Sequence, residues 1–419
     1  MARGNSQKSP LDGALLMQRL DALARHTELA GEITRTYLTP SLRAAGEQLV
    51  AWMQGTGLDA GIDALGNVVG RREGARRNEP ALLLGSHYDT VRNAGKYDGP
   101  YGVIAAIAAA DDLQRRGVTL PFALEVLAFG DEEGVRFKST LIGSRGIAGT
   151  LDPAVLDTRD AAGISMRQAL VEFGGDPRGI KKLARRNGSL RGYLELHIEQ
   201  GPVLEARKAP VGIVTAIAGA TRWKIDIAGQ AGHAGTVPMA MRRDAATAAA
   251  EFSLAVEALA HETPDLLATV GILTTPGGAA NVIAGHAELS LDVRSTSDAV
   301  RARAIKALTR TLRDIAKRRH VEAQVTPTHD ANAVACDAAL QIVLAEAVAA
   351  AGLPVLHLAS GAGHDAMAMA SLCPVAMLFV RCGNGGISHD PRETMTAEDA
   401  ETGARVLVET IERLAASCC

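Results

Sequence analysis

Apolar residues recur at helical spacing over residues 40–53, and Gly55 and Gly57 close the run as glycines commonly end a helix. A short unbroken apolar stretch at 81–84 predicts a buried strand, and the Ala-rich stretch 103–113 predicts a helix. Residues 122–129 read as a second strand and 193–198 as a third. Such alternation points to an α/β sheet with helices on both faces. The character changes near Thr215. Residues 223–227 form a β run, 243–260 a helix, and 287–293 alternate with the period of a half-buried strand. A charged helix over 298–319 and a strand at 321–325 complete a small α+β insertion. A helix at 337–351, a strand at 375–380 and a helix at 397–415 then resume the first pattern. The expected organisation is an α/β domain with a mixed central sheet flanked by helices. It is built from residues 1–215 and 329–419 and interrupted by a smaller α+β domain at 216–328.

Composition narrows the class. Of 419 residues, 47% are hydrophobic and 22% charged, which excludes a disordered or fibrous chain. The net charge is −3, and aromatics are 3%; a nucleic-acid binder would show a basic excess and stacking rings. The longest uncharged apolar runs fall far short of the ~18 residues of a membrane helix. The first five residues lack the apolar stretch of a secretory signal. Cysteines at 336, 373, 382, 418 and 419 form no C-x-x-C pair, as expected of a reduced cytoplasmic protein. The chain therefore reads as a soluble cytoplasmic enzyme with neither nucleic acid nor membrane as partner.

The candidate chemistry gathers around short apolar strands. His87 and Asp89 follow the strand at 81–84, where open α/β sheets bind ligands. Alone, such a histidine is an ordinary polar loop residue. Asp98 sits in a Gly-rich turn before the Ala-rich helix, as either an N-cap or a bridging carboxylate. Glu132 and Glu133 follow the second strand beside Asp131; three acids there repel one another unless a cation neutralises them. His197 shares one strand face with Glu195 and Glu199, and His389 follows the strand at 375–380. Three imidazoles and two carboxylates suit two divalent ions. No G-x-S-x-G elbow, H-E-x-x-H helix, P-loop or dinucleotide fingerprint competes.

The strings GSHYDT, AGKYDG, DEEGVRF, LHIEQGP, AGHAGT, DVRS, SGAGHDAMAM and GGISHD together resemble the dinuclear metal amidohydrolases of the M20 peptidase-like superfamily. The resemblance runs from about residue 40 to the end. It is to the branch of allantoate amidohydrolases, N-carbamoyl-L-amino acid hydrolases and β-ureidopropionases. It implies a catalytic α/β domain interrupted by a lid and dimerisation domain, a homodimer formed through that insertion, and two divalent ions (Mn²⁺ or Zn²⁺, with Co²⁺ also suited). His87, Asp98 and His197 would hold one ion; Asp98 would bridge to a second completed by Glu133 and His389. Glu132 would be the general base and His233 a donor to the substrate carbonyl. Gln200, Arg222, His233, Asn281 and Arg294 would bind a carboxylate-bearing ureido acid. Ordinary peptidases of the superfamily carry a carboxylate where this chain has His197, so the ureido branch is favoured over a metallo-aminopeptidase or aminoacylase. Within the branch, DEEGVRF, SGAGHDAMAM and MLFVRC look most like allantoate amidohydrolases. One departure is Ala284, where the family often has proline after Asn-Val-Ile.

Overall fold

The computed structural model describes residues 9–186 and 188–417. Met1–Asn5, Cys418 and Cys419, which carry two of the expectations above, lie outside them. The chain forms two compact units, one of residues up to Thr215 and from Cys336, the other Ala216–Ala335.

The larger unit is built on a mixed sheet. Its strands run in the order Asp59–Ile62, Val68–Arg72, Ala123–Phe129, Ala81–His87, Leu190–Ile198, Val375–Val380 and Val211–Ile217. The four strands from Ala123–Phe129 to Val375–Val380 in that order are mutually parallel, and the flanking ones are antiparallel. Every residue of Ala81–His87, Ala123–Phe129 and Val375–Val380 is buried. Strands covered on both faces must be apolar throughout, so they appear in the sequence as solid runs rather than alternating ones. The helix predicted at 103–113 is Pro100–Arg115 and is buried from Pro100 to Leu113. It packs against the parallel strands and against helices Gly13–Ala24 and Ala397–Ala416.

The parallel register decides the position of the site. Residues that end or follow these four strands are all delivered to one edge of the sheet, where crossover loops provide room for polar groups.

The smaller unit is a sheet in the order Leu273–Thr274, His286–Ser295, Gly219–Ala228, Glu322–Ala331, with Leu266–Thr269 also on His286–Ser295. Helices Ala245–Glu262 and Asp298–Arg319 cover one face, over a core that includes Ile225, Phe252, Leu291 and Leu312. The second junction differs from the expected 328. The strand predicted at 321–325 continues to Ala331, because it pairs with Gly219–Ala228 through a bulge at Pro327/His329. Val334 and Ala335 then pair with Ile217 and Ala216, so the second junction moves to 335/336. Proline and polar residues at 326–330 concealed this extension. No helix among the described residues is long and apolar enough to cross a membrane.

Candidate active site

His87 is the last residue of its strand, His197 the penultimate residue of the neighbouring one, and both are buried. His87 Nδ1 lies 3.1 Å from the Asp89 carbonyl, and His197 Nδ1 2.9 Å from the Ile198 carbonyl. A carbonyl can only accept, so each ring carries a proton on Nδ1 and turns Nε2 inward. The two Nε2 atoms are 3.5 Å apart, and each faces Asp98 Oδ1, at 3.7 Å and 3.3 Å. Two imidazole nitrogens and a carboxylate converging in a buried space could hold a metal ion. This donor set fits a divalent ion of borderline softness.

Asp98 is not the cap of the helix that follows it. The N-cap is Gly99, with φ +80° and no side-chain cap bond. A Cβ on Gly99 would stand 2.3 Å from the His87 ring, so glycine is required both by the backbone and by the neighbouring imidazole. Asp98 is thereby released toward the histidines. Its second oxygen, Oδ2, is 3.2 Å from His389 Nε2, which also lies 3.5 Å from Glu133 Oε1. The two oxygens of Asp98 thus face two donor sets, His87 with His197 and Glu133 with His389. Gln200 Nε2 donates to Oδ2 at 2.7 Å, and the Ser388 hydroxyl donates to the same atom.

Glu132 and Glu133 are held through their backbone. Their amides donate to the two oxygens of Asp89, at 3.2 Å and 3.3 Å. Asp89 in turn lies on a segment braced by Arg35, fully buried, whose Nε donates to the Tyr88 carbonyl at 2.7 Å. Burial pushes the Glu132 carboxyl well above its ordinary range, and Glu133 reinforces this against the attraction of His87. Glu133 is pushed up to about 7 by burial and by Asp98. His389 is raised to about 9 by its hydrogen bond to Asp98, which outweighs burial. Asp131, Gln200 and His389 all adopt left-handed backbone conformations, sparsely populated outside glycine and found disproportionately at functional sites.

Other residues singled out in the sequence fall nearby. Glu195 is buried behind His197 and accepts from Ser86 Oγ and the Ala366 amide, both at 2.9 Å. Glu199 is instead turned to the amides of Val203 and Leu204 and starts a short helix. His364 packs edge-on against His197 with ring centroids 4.6 Å apart, and its Nε2 is 2.8 Å from Ser360 Oγ.

In the smaller unit, His233 and Asn281 come together on a two-stranded ribbon. His233 pairs with Val282, and the Ala234 amide donates to the Asn281 carbonyl. His233 Nδ1 accepts from the Gly235 amide at 3.0 Å, which leaves the neutral ring's proton on Nε2 as an outward donor. Arg222 and Arg294 lie on adjacent strands, and both engage Asp292: Arg222 Nε at 2.9 Å, Arg294 Nε at 2.9 Å and Nη2 at 2.8 Å. Sequence reasoning passed over Asp292. The signal was there, since residues 292 and 294 of an alternating strand share a face.

A family model described as "Peptidase family M20/M25/M40" matches residues 83–413. The chain belongs to this family. It is 41% identical over 406 residues to an N-carbamoyl-L-amino acid amidohydrolase of Geobacillus stearothermophilus, covering 97% of this chain and 99% of that protein. It is 40% identical to a probable allantoate deiminase of Oryza sativa subsp. japonica, covering 94% and 87%. Among solved structures, an amidase of the hydantoinase/carbamoylase family from Burkholderia multivorans superposes with a TM-score of 0.90 at 32% identity, covering 96% and 98%. This M20 protein is therefore a hydrolase acting on C–N bonds, with a site containing candidate metal-binding groups.

Proposed function

We propose that this M20 protein hydrolyses the ureido C–N bond of a carboxylate-bearing substrate, with allantoate the first candidate. The observation that carries this reading is the imidazole at position 197, facing Asp98 where ordinary peptidases of the superfamily have a carboxylate. His87, Asp98 and His197 would hold one divalent ion, and Asp98, Glu133 and His389 a second. When bound, such ions supply Lewis acidity toward a carbonyl and lower the pKa of water. Mn²⁺, Zn²⁺ and Co²⁺ all suit these nitrogen and oxygen donors.

Glu132 takes the proton of the attacking water as oxygen adds to the carbamoyl carbon. It then delivers that proton to the departing nitrogen, acting first as base and then as acid. Its raised pKa suits a group that must hold the proton between these steps. His233, with Nε2–H directed outward, donates to the carbonyl oxygen as negative charge develops there. Arg222, Asn281, Arg294 and Gln200 bind the carboxylate and polar tail. Water is consumed, and the carbamoyl group leaves as ammonia and carbon dioxide, with an amino product.

A second reading, an N-carbamoyl-L-amino acid as substrate, is favoured by the relative that is 41% identical over almost the whole chain. Ammonia release with added Mn²⁺ separates the two across allantoate, N-carbamoyl-β-alanine and several N-carbamoyl-L-amino acids, and new amino groups are counted in parallel on a dipeptide. Allantoate is expected to give the highest kcat/KM. Cleavage of the dipeptide alone would overturn both readings.

The protein is further read as a homodimer joined through the inserted unit, on which Leu254, Leu267, Ile272 and Leu273 are exposed apolar side chains. Buried free thiols at Cys336, Cys373 and Cys382 fit a cytoplasmic setting.

A further inference from the structure

Glu393 lies four residues beyond His389 and is buried, yet it belongs to none of the donor sets described above. Its Oε1 accepts from the backbone amides of Tyr97 and Asp98, at 2.7 Å and 3.3 Å, across nearly three hundred residues of chain. Its Oε2 lies 3.2 Å from Ser388 Oγ, the hydroxyl that also donates to Asp98. The opposing segment is shaped to receive it: a Cβ on Gly95 would stand 2.4 Å from the Glu393 side chain. A buried carboxylate that takes two backbone amides from a loop fixes that loop, since leaving those donors unpaired costs far more than the bonds contribute. Here the loop carries Asp98, and the segment that carries Glu393 also carries His389.

We infer that Glu393 is a positioning residue, which locks the Asp98 loop to the His389 segment and so sets the affinity for the ion held by Asp98, Glu133 and His389. It touches neither ion nor substrate in this role. The inference rests on the two-ion reading above and deepens it. The His87–His197 pair is fixed by other means, through the Asp89 and Ile198 carbonyls, so the two ions should respond differently to loss of Glu393.

The test is calorimetric titration of chelator-stripped protein with Mn²⁺, with bound metal counted after dialysis. Wild type is expected to bind two ions. Glu393→Ala should weaken the ion of Asp98, Glu133 and His389 by about 10–100-fold, the usual effect of removing a group that orients a ligand, and should weaken the ion of His87, Asp98 and His197, which shares only Asp98, by less. Glu393→Gln retains an acceptor for the Tyr97 and Asp98 amides and should restore most of the loss. If the alanine variant does not fold, Glu393→Asp carries the test, because it keeps the charge but withdraws the carboxylate from the amides; a smaller loss on the same ion is expected. Leu407→Ala, a core truncation, controls for general destabilisation and should lower Tm while keeping both ions. Fewer than two ions in wild type would refute the two-ion reading itself. Two ions in wild type with unchanged affinities in the folded Ala or Asp variant would overturn the role of Glu393.

Discussion

Asp292 grips Arg294 with two prongs, taking Nε at 2.9 Å and Nη2 at 2.8 Å. The same carboxylate also takes Arg222 Nε, its cross-strand neighbour. Two guanidinium groups sharing one internal carboxylate leave a local excess of positive charge at this cluster, while Lys224 farther along the face is paired with Asp226 and Glu288. That excess is what a substrate carboxylate would meet.

Arg294→Ala should therefore lower kcat/KM on a ureido acid by about 10–100-fold, matching the ~1.5–3 kcal/mol of a charge-assisted hydrogen bond. Arg294→Lys should recover only part of this, because an ammonium cannot reproduce the planar fork. Metal content should not change, since no candidate ligand is touched. Comparing the ureido acid with its neutral amide analogue decides the matter. Equal losses on both would make Arg294 a structural partner of Asp292 and nothing more.

Glu132→Gln preserves shape and removes the proton acceptor. Turnover should fall by about 10²–10⁴-fold, while substrate affinity and bound metal are retained. Single-turnover ammonia release together with metal counting measures both. Near-normal turnover would assign the base to another residue.

Asp89 accepts the amides of both Glu132 and Glu133. In Asp89→Asn one of these amides faces an NH₂ group instead of an oxygen, and the loop must shift. Activity should drop by about 10–100-fold. A parallel Glu125→Gln variant, on a partly exposed arginine pair at Arg71 and Arg185, should leave kcat unchanged. Full activity in Asp89→Asn would show that the loop does not depend on this clamp.

Chelator-stripped protein should lose stability as pH rises. Glu133 is pushed up to about 7 from an ordinary 4.5, so the folded state binds the extra proton between those values, and stability falls as pH climbs through them. His389, raised to about 9 from 6.5, contributes stability that is fully present below pH 6.5 and is lost as pH rises toward 9. Both groups act in the same direction. Divalent ions compete with these protons, so the increase in Tm on adding Mn²⁺ should grow from pH 5 to pH 9. Thermal unfolding with and without Mn²⁺ across that range checks the sign; an increase that shrinks with pH would contradict it.

Much of the fold was legible along the chain because burial leaves a periodic trace. The strand Val375–Val380 and the helix starting at Asp298 and ending at Arg319 fall where the pattern puts them. The first is a solid apolar run covered on both faces, and the second repeats its apolar residues every turn. Short strands at the margin of the sheet, the edge strand Asp59–Ile62 and its neighbour Val68–Arg72, were not visible, since half-exposed positions accept polar residues and glycine and leave no such trace. The site was legible as residue types at strand ends: His87, Glu132, Glu133, His197 and His389 stand out one at a time.

Their convergence depended on the tertiary structure. Only the parallel order of four strands brings their carboxyl ends to one edge, and no local pattern encodes which strand lies beside which. Asp98 could be read as a helix cap until Gly99 was seen to take that place. Likewise the Nε2 atoms of His87 and His197 are directed by carbonyls that any sequence supplies, so their aim comes from backbone position alone. Glu393 and Asp98 are the extreme case. Residue types and periodicity report how each segment meets water, whereas a hydrogen bond across nearly three hundred residues exists only once the chain has chosen its strand order.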